Sequence, residues 1–132
     1  MAFGSMRHHI RINRPADDVW DRVGDAAALH TWFPGLTACT VDGTTRVITL
    51  GSGMQMPEEI LVNDRVLRRF QYRIAAPVIR YHRGTIDVVD LGDGTCVVTY
   101  ATDADPRTMA LTIAGATAGA LEELKRQMEE QR

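Results

Sequence analysis

The stretch Arg14-Pro15-Ala16-Asp17-Asp18-Val19-Trp20, followed by Leu29-His30-Thr31-Trp32-Phe33-Pro34-Gly35, decides the fold. Pro15 suits the first turn of a helix, because its fixed φ is helical and its missing N–H would have been unpaired there. Asp17 and Asp18 sit in that turn, where the helix dipole favours negative charge. Val19, Trp20 and Val23 form an apolar stripe at helical spacing, and Gly24 or Asp25 ends it. A second short helix over 26–30 delivers Trp32 and Phe33 to a Pro-Gly turn. Upstream, residues 7–13 alternate, with His8, Ile10 and Ile12 on one face, which predicts a half-buried strand. Downstream, residues 37–41 and 46–50 flank the hairpin signal Asp42-Gly43-Thr44. Residues 54–62 form a strand in which Pro57 argues for an edge or a bulge. After Asn63-Asp64 comes an alternating run over 66–74, and residues 81–89 and 95–102 flank Gly92-Asp93-Gly94. Asp105-Pro106 opens a long helix to about residue 128, with Met109, Ile113, Ala116, Ala120, Leu124 and Met128 along one side.

Sequential hairpins imply an antiparallel sheet, and one long amphipathic helix must bury its stripe against it. The expected class is α+β: a curved antiparallel sheet of about six to seven strands wrapped round a long C-terminal helix, with two short helices after the first strand. The middle of the long helix is small: Ala110, Ala114, Gly115, Ala116, Ala118, Gly119 and Ala120 dominate it. Such a face either packs closely on the sheet or leaves a hollow, and Gly84 adds room. A hollow should measure roughly 300–1,000 Å³, with Trp32, Met54, Met56, Tyr72 and Ile113 in its walls.

At 132 residues the chain is one domain, expected over 6–130, with 1–5 as a flexible tail or a cloning remnant. Fifteen basic and seventeen acidic residues give a net charge of −2, so no global field points to nucleic acid or an anionic membrane. No signal peptide or membrane-length apolar run is visible, and Cys39 and Cys96 form neither a zinc spacing nor a disulfide framework. A cytoplasmic protein with reduced, inert thiols is expected, without metal or cofactor. No Gly-x-Ser-x-Gly elbow, His-Glu-x-x-His, phosphate loop or dinucleotide fingerprint is present.

The chain resembles the SRPBCC superfamily, the START and polyketide cyclase-like helix-grip proteins. The resemblance covers residues 7 to about 128. It rests on Pro15-Ala16-Asp17-Asp18-Val19-Trp20, Leu29-x-x-Trp32-x-Pro34-Gly35, Glu58 with Ile60-Leu61, Phe70-x-Tyr72-x-Ile74, the 90–95 hairpin and the last helix. It implies lipid and hormone binders, coenzyme Q-binding proteins or polyketide cyclases, but fold alone supplies no reaction. It also implies an arginine and a glutamate at positions like Arg46 and Glu58, and a tryptophan like Trp32 at a pocket mouth.

The residues themselves leave alternatives open. Alternation puts Met54, Met56, Glu58 and Ile60 on one face. A lone carboxylate there needs a partner or a raised pKa, and Arg46 on the neighbouring strand is one. A bulge at Pro57 would instead turn Glu58 to solvent and Glu59 inward. His82 shares the apolar face of its strand, as ligand contact, proton shuttle or satisfied core histidine. Phe70 and Tyr72 face the same interior; Met54, Met56 and Met109 are compliant walls, equally at home as gap-fillers. Arg65, Arg68, Arg69, Arg73, Arg80 and Arg83 cluster with Phe70, Tyr72 and Tyr81 and with only Asp64 as an acidic neighbour, as in a nucleic-acid surface. The shared parity of Arg69, Gln71 and Arg73, opposite to that of Phe70 and Tyr72, favours a solvated outer face, with Arg68 and Arg80 outside that sorting near strand ends.

Ligand contacts are therefore expected from Trp32, Arg46, Met54, Met56, Glu58, Phe70, Tyr72, His82, Met109 and Ile113. The leading expectation is a monomer or homodimer binding a small, mostly hydrophobic, lipid- or polyketide-like molecule between sheet and helix. The alternatives are a cyclase or dehydratase using Glu58, His82 or Tyr72 as acid and base, and an interaction module with a vestigial cavity. Two polar groups converging in a closed pocket would favour catalysis, and a filled interior the module.

Overall fold

The structure, a computed structural model, describes residues 3–131. Strand β1 (Gly4–Ile12) leads into helix α1 (Ala16–Val23) and a 3-10 helix (Ala26–Thr31). Six strands follow: β2 (Leu36–Asp42), β3 (Thr45–Leu50), β4 (Gln55–Asp64), β5 (Arg69–Ile74), β6 (Tyr81–Asp90) and β7 (Cys96–Asp105), then helix α2 (Arg107–Glu130). The seven strands form one antiparallel sheet in the order β1-β7-β6-β5-β4-β3-β2. Helix α2 lies on β1 and β7, while the 3-10 helix covers β2 and β3, so the sheet curls round the helical layer. This is the helix-grip architecture.

The core sits in the wrap. Trp20 of α1, Trp32, and Leu121, Leu124 and Met128 of α2 are buried with Ile12, Phe70, Ile86, Val88, Val98 and Tyr100 of the sheet. Gly24 closes α1 by donating its N–H to the Trp20 carbonyl at 2.7 Å, and its lack of a side chain lets the Trp20 ring lie against it. At the opposite edge, β1 meets α2 so closely that a Cβ on Gly4 would stand 2.6 Å from that of Ala110.

Four expectations need correction. The tail expected over 1–5 is strand from Gly4 onward: Gly4 is buried, and Ser5 donates to Asp103 on β7 at 2.6 Å. Residues 1 and 2 lie outside the described residues. The run expected over 66–74 becomes strand only at Arg69. Asp64 Oδ1 accepts the N–H groups of Val66 and Leu67, Arg68 takes a positive φ of 52°, and the apolar alternation simply continues into the turn. Pro57 is neither at an edge nor bulged; it lies opposite Val47, and the register shift comes between Ile60 and Val62. Finally, α2 buries Ala110, Ala114, Thr117, Ala120, Leu121, Leu124 and Met128. Ala116 is exposed, and Met109 and Ile113 are only half-buried, because β1 meets the small residues of the neighbouring stripe.

Candidate functional site

The β3–β4 register places Arg46 directly opposite Glu58, and the unbulged Pro57 keeps Glu58 pointing inward while Glu59 faces out to Arg73. Arg46 Nε donates to Glu58 Oε1 at 2.7 Å, and Nη1 donates to the Ala26 carbonyl at 3.2 Å. The guanidinium carbon stands 5.0 Å from the Phe70 ring centre and 5.1 Å from that of Tyr72, within cation–π range. The residues are 1% and 3% exposed, so this is an ion pair in a low-dielectric interior. Burial raises the Glu58 carboxyl above its ordinary range, against the pull of Arg46.

Beside it the Tyr72 and Tyr100 hydroxyls meet at 2.5 Å. Burial lifts both phenols above their ordinary range and keeps them protonated. The Tyr72 ring lies across Gly84, where a Cβ would stand 2.5 Å from it. Gly84 thus makes room for a tyrosine, not for a ligand. The Tyr72 and His82 rings are 5.5 Å apart. His82 Nδ1 accepts the Ile74 N–H at 3.0 Å, which leaves the ring proton of neutral His82 on Nε2.

Among the described residues, five buried side-chain polar atoms have no partner: Arg46 Nη2, His82 Nε2, Trp32 Nε1, Thr102 Oγ1 and, beside Trp32, His30 Nδ1. The first three are donors. Thr102 lies opposite Gly84 in the register and so borders Tyr72.

Of the expected contacts, the fold brings together Arg46, Glu58, Phe70, Tyr72 and His82. Trp32 joins the same core, through Phe33, whose ring stands 6.5 Å from that of Tyr100. Met56 packs on the core at its margin. Met54 is 57% exposed, because β4 begins only after it. Met109 and Ile113 are half-buried on the first half of α2, outside the core cluster. The expected hollow walled by Trp32, Met54, Met56, Tyr72 and Ile113 is therefore not assembled. Trp32 instead lines a surface cleft of about 320 Å³ with His30, Phe33, Leu36 and Glu123. Tyr100 and Thr102 were missed; their inward parity on β7 was legible, but nothing in the sequence marks them as polar partners.

The arginine cluster is dispersed by ion pairs: Arg65 with Asp21, Arg68 with Asp17, Arg69 with Asp87, Arg73 with Glu59, and Arg80 with Asp105. Most of these carboxylates are distant in sequence, which is why only Asp64 looked near.

His82 makes stability acid-sensitive. Burial, and then the charge of Arg83, lower its pKa to about 4, against about 6.5 when unfolded. Between these values the unfolded chain binds a proton that the folded chain refuses. Stability should fall as pH drops through that window, by up to about 3 kcal/mol. Glu58, shifted upward, works the other way and is relieved by acid. Urea denaturation at about pH 7 and pH 5 should show the loss in the wild type and a smaller one in His82→Gln. An equal loss in both would assign the sensitivity elsewhere.

The fold and its buried polar centre define a helix-grip domain. Residues 4–129 match the family of polyketide cyclase, dehydrase and lipid transport proteins, and the chain belongs to that family. Among solved structures it is similar to XoxI of Bacillus cereus, with a TM-score of 0.88 and 18% identity over 96% of both chains. A Thermobifida fusca protein gives a TM-score of 0.81 and 28% identity, over 97% of this chain and 96% of the other. Norcoclaurine synthase of Thalictrum flavum, solved with dopamine and hydroxybenzaldehyde, gives 0.77 and 19%, over 99% of this chain and 89% of the other. No curated protein matches the chain significantly. None of the described helices is long and apolar enough to cross a membrane.

Proposed function

We propose that this protein binds a small, mostly apolar molecule at the polar centre between sheet and helices, and that the ligand brings oxygen acceptors. The observation that carries this is the donor set. Arg46 Nη2 and Trp32 Nε1 are buried without partners, and neither can accept a hydrogen bond. An unmade hydrogen bond of this kind costs about 1–3 kcal/mol, more when the group is charged. A ligand carbonyl or phenolic oxygen removes that cost, and the surrounding Phe70, Phe33, Met56 and Ile74 suit an apolar body. Entry is at the Trp32 cleft, where the family resemblance puts a mouth.

Mass spectrometry of small molecules released from the purified protein by denaturation tests this. An oxygen-bearing lipophilic compound should appear in stoichiometric amount and be lost from Trp32→Phe, which removes one donor and keeps a smaller aromatic ring in its place. A preparation with no such compound, and no binding of added aromatic ketones, would refute it.

A second reading, a cyclase or dehydratase, draws on one observation: Glu58, with its raised pKa, and the Tyr72–Tyr100 hydroxyl pair converge in one interior. Binding stands first because Glu58 is already engaged by Arg46 and each tyrosine by the other, whereas the unpaired donors await a ligand.

A further inference from the structure

We infer that the edge of the molecule where the connection over residues 75–80 meets the outer sheet face docks on an anionic lipid bilayer. In an antiparallel sheet successive turns fall at opposite ends. The β2–β3, β4–β5 and β6–β7 turns therefore share one end, and β3–β4, β5–β6 and the entry to α2 share the other. The β5–β6 connection is an unusual turn. β5 and β6 pair only as far as Tyr72 and Gly84, and the chain from Ala75 to Ile79 carries no polar side chain. It is nonetheless fixed. Ala75 N–H donates to the Pro57 carbonyl at 3.3 Å, Ile79 N–H to that of Ala76 at 3.0 Å, and Arg80 N–H to that of Asp105 at 2.7 Å. Pro77 and Val78 are thus the middle of a closed turn, which holds Val78 out with 66% of its surface exposed.

Aromatic rings and cations adjoin this tip. Tyr81 directly follows the connection, and its exposed ring meets the exposed ring of Phe3 edge-on, with centres 5.3 Å apart. The Arg83 guanidinium lies 4.8 Å from the centre of the Tyr81 ring, and Arg107 opens α2 beside Gly4, the neighbour of Phe3. Among the described residues, neither Arg83 nor Arg107 has a carboxylate within salt-bridge distance. The carboxylates of this end are already engaged: Glu59 by Arg73, Asp103 by Arg7 and Asp105 by Arg80. Positive charge is therefore in surplus here, on a chain whose net charge is −2. The opposite end is the reverse. Its β4–β5 turn also exposes apolar side chains, Val66 and Leu67, but Arg65 and Arg68 are taken up by Asp21 and Asp17. Asp42, Asp64 and Asp90 stand at that end in no ion pair among the described residues. An apolar tip, an aromatic shoulder and unneutralised guanidinium groups match a bilayer with negative headgroups, where apolar burial and electrostatic attraction add. An acidic protein surface would engage the cations but leave Val78 without a role. The inference is independent of the interior ligand.

Cosedimentation with phosphatidylcholine vesicles, with and without phosphatidylglycerol, tests it. Binding is expected when phosphatidylglycerol is present and should weaken as salt rises. Arg83→Gln combined with Arg107→Gln should reduce it by roughly tenfold or more, since each cation at an anionic surface is worth about fivefold. Val78→Asp should reduce it at least as much. Leu67→Asp, the same kind of change at the acidic end, should leave it unaltered. No binding to the anionic vesicles, an unweakened arginine double variant, or equal losses in Val78→Asp and Leu67→Asp would overturn the proposal. Retention by polyglutamate without binding to vesicles would assign the patch to an acidic protein and overturn it equally.

Discussion

Arg46→Met is expected to cost about 3–5 kcal/mol, and Arg46→Met combined with Glu58→Leu to recover most of that loss. With Arg46 and Glu58 1% and 3% exposed, removing one partner strands a charge that water cannot reach. Removing both leaves an apolar region between Phe70 and Ile74, which replacement side chains of similar volume can fill. The two single variants should differ in their response to pH. Without Arg46, Glu58 can escape by binding a proton, and its pKa is already raised, so Arg46→Met should be less damaging at about pH 5 than at about pH 8. Glu58→Gln leaves a guanidinium that does not deprotonate, so acid should bring that variant no comparable relief. Urea denaturation of the four proteins at both pH values checks the set. A loss below about 1 kcal/mol in Arg46→Met would mean that the pair behaves as a solvated one.

Leu124→Ala should cost about 2–5 kcal/mol, and Ile113→Ala about 1 kcal/mol or less. Leu124 is 0% exposed in the core cluster, where truncation leaves a void between rigid neighbours. Ile113 is half-buried beyond the cluster, and water replaces what it loses. Equal large losses would show that the first half of α2 packs as solidly as the second. A small loss at Ile113 follows from its exposure and so does not by itself argue for a hollow. The donor set, not the helix, carries the binding reading.

How much of this was legible follows from which forces are local. Alternation and Pro/Gly punctuation reveal strands and helices because they act within a few residues, and parity alone placed Glu58, Phe70, Tyr72 and His82 on the inner face. Register was not legible. Whether Arg46 meets Glu58 depends on how the Gly51-to-Gly53 turn sets β3 against β4, and no residue encodes that alone. Met54 had the inward parity of Glu58 but lies before the strand starts, and parity outside a strand has no meaning. Gly84 read as space, when the Tyr72 ring from the neighbouring strand occupies it. The use of His82 as an acceptor for a backbone N–H depends on β5 and β6 parting, a tertiary event. The paired arginines became intelligible only once Asp17, Asp21 and Asp87 were brought across the fold.

The closure of β1 on β7 and α2 governs how the chain can be made. Asn13 N–H donates to Glu129, and Arg14 donates to the Met128 carbonyl, across separations of 116 and 114 residues. β1 is thus completed by β7 and α2, which lie far after it in the chain. At about 5–20 residues per second, β1 waits on the order of 5–20 s before β7 exists. During that wait its alternating edge is open to any other strand. Such non-local pairing is slow, so the β1 edge stays unpaired until β7 and α2 close the seam.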